Sequence, residues 1–177
     1  MFGLLKAKNT YEEKARSVYA VMLERVREQV FYTEYGVPDT FDGRFDLLVI
    51  HASLVMESLV EQGDEGQQFN QALFDVMFAD MDQALRQMGA GDMSVPKHMR
   101  RMMKGFNGRV QAYAEAETSK ELQEALIRNL YGTVKDPEAG YVNMIIEYIQ
   151  SCRESIRRQQ IMSGTISFVS FQERKAA

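Results

Sequence analysis

Apolar residues recur every three or four positions through the first part of the chain, as they do along one face of an α-helix. The stripe comprises Ala15, Val18, Tyr19, Met22, Leu23, Val26 and Val30. Thr10 and Glu13 precede it at the spacing of a capping box, in which two residues satisfy each other's backbone N–H groups at a helix start. The pattern therefore predicts a helix that begins near Thr10 and stops near Gly36, shortly before Pro38.

Residues 44–60 carry apolar side chains on every side of a helical projection. The apolar positions are Phe45, Leu47, Leu48, Val49, Ile50, Leu54, Val55, Met56, Leu59 and Val60. A helix that is apolar all round belongs at the centre of a bundle. A parallel strand is the rival for residues 47–50, but the pattern continues for too long to be a strand. The polar residues 63–66 then predict a turn.

Helical spacing returns in the second half of the chain. Residues 69–88 form another apolar stripe, which Gly89 closes. Ser94 is the expected cap of the next helix, and Pro96 lies in its first turn, where a missing N–H costs little. The stripe of that helix comprises Val95, Met99, Met102, Phe106, Val110 and Tyr113.

Two further start signals precede shorter apolar runs. Thr118 and Glu121 form a second capping box, for a short helix that runs through Leu130. Residues 136–137, Asp-Pro, are the expected cap and first residue of a last helix, whose stripe ends at Ile156.

The C-terminal segment 165–171 is rich in β-branched and aromatic residues. Its composition leaves two structures open, a short strand and an extended tail docked on the bundle. The patterns together predict an all-α, single-domain bundle of about six helices. We expect the helical core to span about residues 10–162 and the C-terminal tail residues 163–177.

The overall composition fits one globular domain, since the 177 residues are 45% hydrophobic and 26% charged. The single cysteine, Cys152, excludes an intramolecular disulfide framework and fits a reducing compartment. The longest charge-free apolar stretch, residues 47–56, is half the length of about 20 residues that a spanning helix needs. The sequence has no pattern of a signal or transit peptide. We therefore expect a protein that is dissolved or lies at most on a membrane surface.

Charge is segregated along the chain, although the net charge of −4 gives no bulk attraction to DNA. Between Arg44 and Arg86 there are eight acidic residues and no Lys or Arg. From Arg86 to Arg109 there are six basic residues and one acidic residue, Asp92. Each run is either the solvated face of its helix or, in the basic case, a face that meets anionic lipid, ribosomal RNA or an acidic partner.

Methionine is concentrated in the same region. Seven of the twelve methionines lie between Met77 and Met103. They either fill the core between two helices or form a recognition surface, because methionine repacks readily around different apolar partners. Met102 and Met103 cannot both lie on one narrow stripe, so at least one is expected near its margin.

Catalytic and metal-binding patterns are hard to find. Neither His51 nor His98 has the Glu-x-x-His spacing of a bundle di-metal site, and His51 is expected to be a satisfied core histidine. Cys152 lies on an apolar stripe and is expected to be structural. The Gly-Ala-Gly run at 89–91 lacks the context of a dinucleotide fingerprint. The acids at 75, 80 and 82 scatter around their helix. We therefore expect no enzyme activity, cofactor, metal or small-molecule substrate.

A series of unusual segments stands in order along residues 11–150. The first is FYTEYGVPDTFDGRFDLL at residues 31–48. The others are His51, Asp75, Phe78, Asp80-Met81-Asp82, LRQMGAGD at 85–92, VPK at 95–97, and 99–113 with its Phe106 and Gly108-Arg109. Together they resemble the ubiquinol–cytochrome c chaperone family.

That resemblance implies a helical, non-enzymatic assembly factor for the respiratory ubiquinol–cytochrome c reductase (complex III). The client it implies is newly made cytochrome b, which mitochondrial members bind near the ribosome exit and protect until haem insertion. This chain shows neither a transit peptide nor a membrane-proximal hydrophobic extension. We therefore expect a bacterial member that works in the cytoplasm, peripheral to the inner membrane. The alternative is a peripheral membrane or ribosome adaptor without a dedicated client.

The expected partner-binding surface joins the basic, methionine-rich helix to the turn at residues 32–38. Its members are Tyr32, Val37, Pro38, Lys97, Met99, Arg100, Arg101, Met102, Lys104, Phe106 and Arg109. A pliable apolar groove with cationic edges could hold an unfinished membrane subunit. Arg44, Arg86, Asp39 and Asp92 also match the family. They either contact the client or form an Arg–Asp pair that ties the two turns together.

Overall fold

The computed structural model describes residues 2–171 of the chain, and the side chains of residues 11–171. Its α-helices are α1 (Phe2–Val26), α2 (Val30–Thr33), α3 (Phe41–Val60), α4 (Gly63–Gln87), α5 (Val95–Ala114), α6 (Ser119–Arg128) and α7 (Ala139–Ile156). A 3₁₀ turn spans Ile161–Ser163. Within the described residues there is no strand, and six of the α-helices have ten or more residues. The prediction of an all-α bundle of about six helices is confirmed.

Helix α3 is the centre of the bundle, as the sequence predicts. Thirteen of its 20 residues are buried. Helices α1, α4, α5 and α7 all pack against it. The Thr40 hydroxyl caps its start and accepts a hydrogen bond from the Gly43 amide at 3.1 Å. The rival strand at residues 47–50 is therefore wrong.

The limits predicted for the first helix are wrong at both ends. α1 begins at Phe2, so Thr10 lies inside the helix and not at its cap. It ends at Val26 rather than near Gly36, and a separate turn, α2, begins at Val30. The break brings Phe31 into the core, and the Tyr32 hydroxyl donates to the carbonyl of Val26. An apolar stripe continues across such a break, because both pieces bury the same kind of side chain.

The turn predicted at residues 63–66 is wrong, because α4 begins at Gly63 and the chain turns at residues 61–62. Gly66 lies inside α4, where an added Cβ would come 1.8 Å from the carbonyl oxygen of Leu59. Glycine at this position therefore allows the start of α4 to lie directly against the end of α3.

The three later helix starts differ in how well the sequence predicts them. The Thr118–Glu121 capping box is confirmed: the Glu121 amide donates to Thr118 Oγ1 at 3.2 Å, and the Thr118 amide donates to Glu121 Oε2 at 2.9 Å. Ser94 precedes α5 as predicted, but its hydroxyl donates to the carbonyl of Gly91 and caps nothing. The start predicted at Asp136 is wrong, because α7 begins at Ala139. Asp136 takes a φ of +52°, a left-handed conformation that aspartate adopts more readily than most residues and that does not start a right-handed helix.

The C-terminal segment is an extended tail docked on the bundle, and no strand forms in its described part. Ile166 is buried, and the Phe168 ring meets the imidazole of His51 edge-on at 4.8 Å between centroids. The Phe171 ring lies under the guanidinium of Arg25, with Cζ 4.2 Å from its centroid. The rest of the predicted tail, residues 172–177, lies outside the described residues. No helix in the part of the chain described here is long and apolar enough to cross a bilayer.

Candidate functional site

Helix α5 separates the basic and apolar residues that the sequence placed on one surface. Its cations Lys97, Arg100, Arg101 and Lys104 are exposed. Phe106 is 2% exposed and belongs to the core. Met99 and Met102 are half-buried and pack against the core from the margin. The four cations therefore face solvent, Met99 and Met102 lie at the margin of the core, and the Phe106 ring points inward.

Met102 and Arg101 line a groove with a cavity volume of about 440 Å³. We call it the α3–α5 groove, since it runs between the first turns of α3 and the middle of α5, with the residues after α6 closing one side. Its lining is Phe41, Asp42, Phe45, Asp46, Leu85, His98, Arg101, Met102, Gly105, Arg109, Arg128, Asn129, Gly132 and Thr133. The groove combines apolar side chains with three arginines and two aspartates.

A buried ion pair forms the floor of the α3–α5 groove. Arg109 Nε contacts Asp46 Oδ1, and Asp46 is only 3% exposed. Burial raises the pKa of Asp46 to about 6, although the positive charge of Arg109 opposes the shift. The guanidinium of Arg109 also lies 5.7 Å from the ring centroid of Phe45. Arg109 is therefore held by the fold and is not a free cation at the groove edge.

The turn before α3 carries the other predicted partner-binding residues, and none of them is in the lining of the α3–α5 groove. Arg44 Nη2 is 2.6 Å from Asp39 Oδ1, and its guanidinium lies 5.1 Å from the ring centroid of Tyr32. Pro38 is half-buried, while Val37 is 2% exposed and lies in the core. Of the three residues predicted from this turn, Tyr32 and Pro38 therefore reach the surface.

The matched arginines form pairs within their own turns and not between them. Arg86 Nε lies 2.6 Å from Asp82 Oδ2, and Arg86 Nη1 lies 2.6 Å from Asp92 Oδ1. Arg44 pairs with Asp39 in the same local way. Among the described residues, the pair expected to tie the two turns together is therefore not formed, because each arginine pairs with aspartates close to it in sequence.

The methionines divide between the two predicted roles. Met22, Met77 and Met81 are buried in the core. Met88 and Met93 lie in the segment between α4 and α5. They are 62% and 96% exposed. The cluster is therefore partly core and partly surface.

The predicted surface includes three lining residues of the groove, Arg101, Met102 and Arg109, and misses the other eleven. Phe41, Phe45 and Arg128 are the most informative of those missed. Phe41 is 54% exposed at the start of α3, four residues before Phe45 on the same helix. The i, i+4 spacing of two aromatic residues after a capping threonine was the available signal. Arg128 lies at the end of α6, and no pattern in the sequence connects it with α5.

A second, more open cavity of about 530 Å³ lies between α3, α4 and α5. Its apolar lining includes Phe74, Phe106 and Val110, and the remaining side chains are mostly amides. Phe74 and Phe106 are 5.6 Å apart between ring centroids. This cavity contains one predicted residue, Phe106, and no charged side chain.

His51 is a satisfied core histidine, as predicted. Its Nδ1–H donates to the carbonyl of Leu47 at 2.8 Å, and its Nε2 accepts from the Tyr148 hydroxyl at 2.8 Å. The same hydroxyl accepts from Arg25 Nε at 3.0 Å. Complete burial lowers the pKa of His51 to about 4, and the imidazole is therefore neutral. Cys152 is buried as well. Within the described residues, no group of three His, Cys, Asp or Glu side chains is placed to hold a metal ion.

Comparison with known proteins identifies a family and several relatives within it. The sequence profile of the family described as Ubiquinol-cytochrome C chaperone matches residues 33–165. The human protein "Ubiquinol-cytochrome c reductase complex assembly factor 1" is 24% identical over 152 residues, which are 85% of this chain and 50% of that protein. Its mouse counterpart is 24% identical over 77% of this chain and 46% of its own length. The chain thus spans about half the length of these two relatives.

The fold matches a solved structure almost from end to end. That structure is described as "Crystal structure of the Cbp3 homolog from Brucella abortus". The TM-score is 0.81 at 28% sequence identity, and the match covers 98% of this chain and 99% of that one.

Proposed function

The chain belongs to the ubiquinol–cytochrome C chaperone family, and from this premise we propose that it binds newly made cytochrome b and supports assembly of ubiquinol–cytochrome c reductase. We propose that it does so without catalysis, by covering apolar surface of the client until assembly continues. The observation that carries the proposal is the α3–α5 groove, which combines Phe41, Phe45 and Met102 with arginines at its edge.

The groove has the size and chemistry for a few side chains of a membrane segment. A cavity of about 440 Å³ holds anchor residues of an apolar helix laid across it, not the helix as a whole. Met102 can adjust its shape to different anchors because its side chain is unbranched. Arg101 and Arg128 suit the carbonyl groups at the C-terminal end of such a helix, where the helix dipole is negative.

The proposed location is the cytoplasm of a bacterium, at the inner face of the inner membrane. The near end-to-end match with the Brucella structure supports a bacterial member. A chaperone for a membrane subunit meets its client where that subunit is inserted.

Substitution of Phe41 tests the proposal in cells that depend on this chain for assembly. Phe41→Ser removes a 54% exposed ring from the groove, whereas Val60→Ser removes a 62% exposed side chain from the other end of α3. We expect Phe41→Ser to lower the amount of cytochrome b, measured by immunoblot and haem absorbance, while Val60→Ser leaves it unchanged. Thermal unfolding of both purified variants controls for stability. Two folded variants with wild-type amounts of cytochrome b would contradict the role of the groove.

The unpaired cations of α5 favour a second candidate, an adaptor for the membrane or the ribosome without a dedicated client. An adaptor keeps its binding when the client is absent, and its loss affects more than one membrane complex. Quantifying other respiratory complexes in a deletion strain separates the two candidates. A specific loss of ubiquinol–cytochrome c reductase supports the chaperone, and a general loss supports the adaptor.

A further inference from the structure

The solvent face of α5 carries cations that the described fold does not use. Lys97, Arg100, Arg101 and Lys104 follow the i, i+3, i+4, i+7 spacing of one helix face and are all exposed. None of them makes a hydrogen bond or an ion pair with another described residue. By contrast, Arg86 pairs with two acids across its own turn. Because α5 itself contains no acidic residue, these four cations have no acidic partner along their own helix.

Methionine side chains project beside these cations. Met93 is 96% exposed and lies one turn before Lys97, and Met103 is 38% exposed on α5 next to Lys104. Met88, at the end of α4, is 62% exposed. A single exposed apolar side chain is ordinary on a protein surface, and these methionines are of interest because they accompany the cations along residues 88–104. Cations next to projecting apolar side chains are the pattern of proteins that bind at a membrane interface.

We infer that Lys97, Arg100, Arg101 and Lys104, with Met93, form a docking surface for an anionic bilayer, which we call the α5 membrane face. The cations meet lipid phosphates, and the methionine enters the boundary between headgroups and acyl chains. The inference goes beyond the proposed chaperone function, since the surface needs no client. It lies on the side of α5 next to the α3–α5 groove, and Arg101 stands at the border of the two. Docking would therefore place the mouth of the groove close to the membrane surface.

The surface fits a bilayer better than RNA. Single-stranded RNA is held by aromatic side chains that stack on bases, and the projecting side chains here are methionines. A local patch of four cations suffices for attraction to an anionic bilayer surface. Each well-placed Lys or Arg is expected to raise binding about fivefold.

Vesicle flotation of the full chain tests the inference. The vesicles are phosphatidylcholine alone or phosphatidylcholine with about one-third phosphatidylglycerol. We expect binding to the anionic vesicles only, and weaker binding as salt is raised. The variant Lys97→Gln/Arg100→Gln/Lys104→Gln should bind about a hundredfold more weakly, and Met93→Ser several-fold more weakly. Arg101 is kept in both variants because it lines the groove.

A matched control removes the same charge elsewhere. Lys120, Lys135 and Arg158 are exposed and have no ion pair with any described residue. The triple Gln variant of these three should bind like the wild type. Equal loss in both triple variants would overturn the inference, as would binding to neutral vesicles. Binding of a single-stranded RNA that the α5 variant abolishes, without vesicle binding by the wild type, would overturn it in favour of RNA.

The two proposals fail separately. If anionic vesicles do not bind but Phe41→Ser still lowers cytochrome b, the membrane face is wrong and the chaperone function stands. If vesicles bind through α5 and Phe41→Ser has no effect on cytochrome b, the membrane face stands and the groove is wrong.

Discussion

Two buried titratable groups are expected to change the stability of this protein with pH in opposite directions. His51 has an ordinary pKa of 6.5 and a folded pKa of about 4. Between these values the unfolded chain binds a proton at this residue and the folded chain does not. The contribution of the neutral His51 to the stability of the folded state is therefore complete above about pH 6.5 and is lost as the pH falls toward 4. The difference between these two pKa values corresponds to about 3 kcal/mol of stability.

Asp46 acts with the opposite sign. Its ordinary pKa of 3.8 rises to about 6 in the folded protein, chiefly because the carboxyl group is buried at the floor of the α3–α5 groove. Between pH 3.8 and 6 the folded state binds the proton more tightly than the unfolded state. The contribution of Asp46 is therefore complete at low pH and is lost as the pH rises to about 6. It too amounts to about 3 kcal/mol.

Urea unfolding between about pH 4 and 7, followed by circular dichroism, separates the two effects. In the wild type the contributions of His51 and Asp46 nearly cancel over about pH 4–6. As the pH rises across that range, the free energy of unfolding of His51→Gln should fall by about 3 kcal/mol relative to that of the wild type. That of Asp46→Asn should rise by about as much. The double variant should run parallel to the wild type, whatever its absolute stability.

The slope of the free energy of unfolding against pH is the decisive quantity, because both variants also lose contacts and are less stable at every pH. A His51→Gln curve parallel to that of the wild type would refute the neutral, buried imidazole hydrogen-bonded to Tyr148. A parallel Asp46→Asn curve would refute the assignment of a raised pKa to the groove floor.

Three further variants test the packing by urea unfolding. Tyr148→Phe removes a hydroxyl that is hydrogen-bonded to both His51 and Arg25, and it should cost about 2–3 kcal/mol of stability. Tyr131→Phe removes a hydroxyl that donates to the carbonyl of Tyr35 and should cost about 1 kcal/mol; equal costs would contradict the buried network. Thr118→Ala should cost about 1 kcal/mol, because it breaks the capping box of α6, and no loss would contradict that box. Gly36→Ala should cost more than Gly63→Ala, since both glycines have a φ of +63° but only at Gly36 would a Cβ meet a ring of α7, at 2.4 Å; equal costs would contradict that approach.

The fold was predictable where a pattern is local and strong. The continuous apolar run around His51 indicates a central helix, and the spacing of Thr118 and Glu121 indicates a helix start. The sequence does not reveal where a stripe breaks. Val30 continues the stripe of α1 in projection, yet it begins a separate turn that brings Phe31 into the core. Such a break depends on tertiary packing, which a periodic pattern does not record.

The candidate site was predictable in part for the same reason. The exposed cations of α5 and the half-buried Met102 follow from helical spacing alone. The assembly of the groove does not, because Phe41 and Arg128 come from elements far apart in the chain. Arg109 looked like a member of the basic surface, but it pairs with Asp46 of α3 in the interior. A pairing across 63 residues leaves no local signal.

Photo-crosslinking in cells from position 102 is a direct test of the proposal that the α3–α5 groove binds cytochrome b. A photoreactive residue there sits in the α3–α5 groove, and the same residue at Ala79, exposed on α4, is the control. We expect a crosslink to cytochrome b from position 102 and none from position 79. Cytochrome b crosslinked equally from both positions, or from neither while assembly proceeds normally, would contradict it.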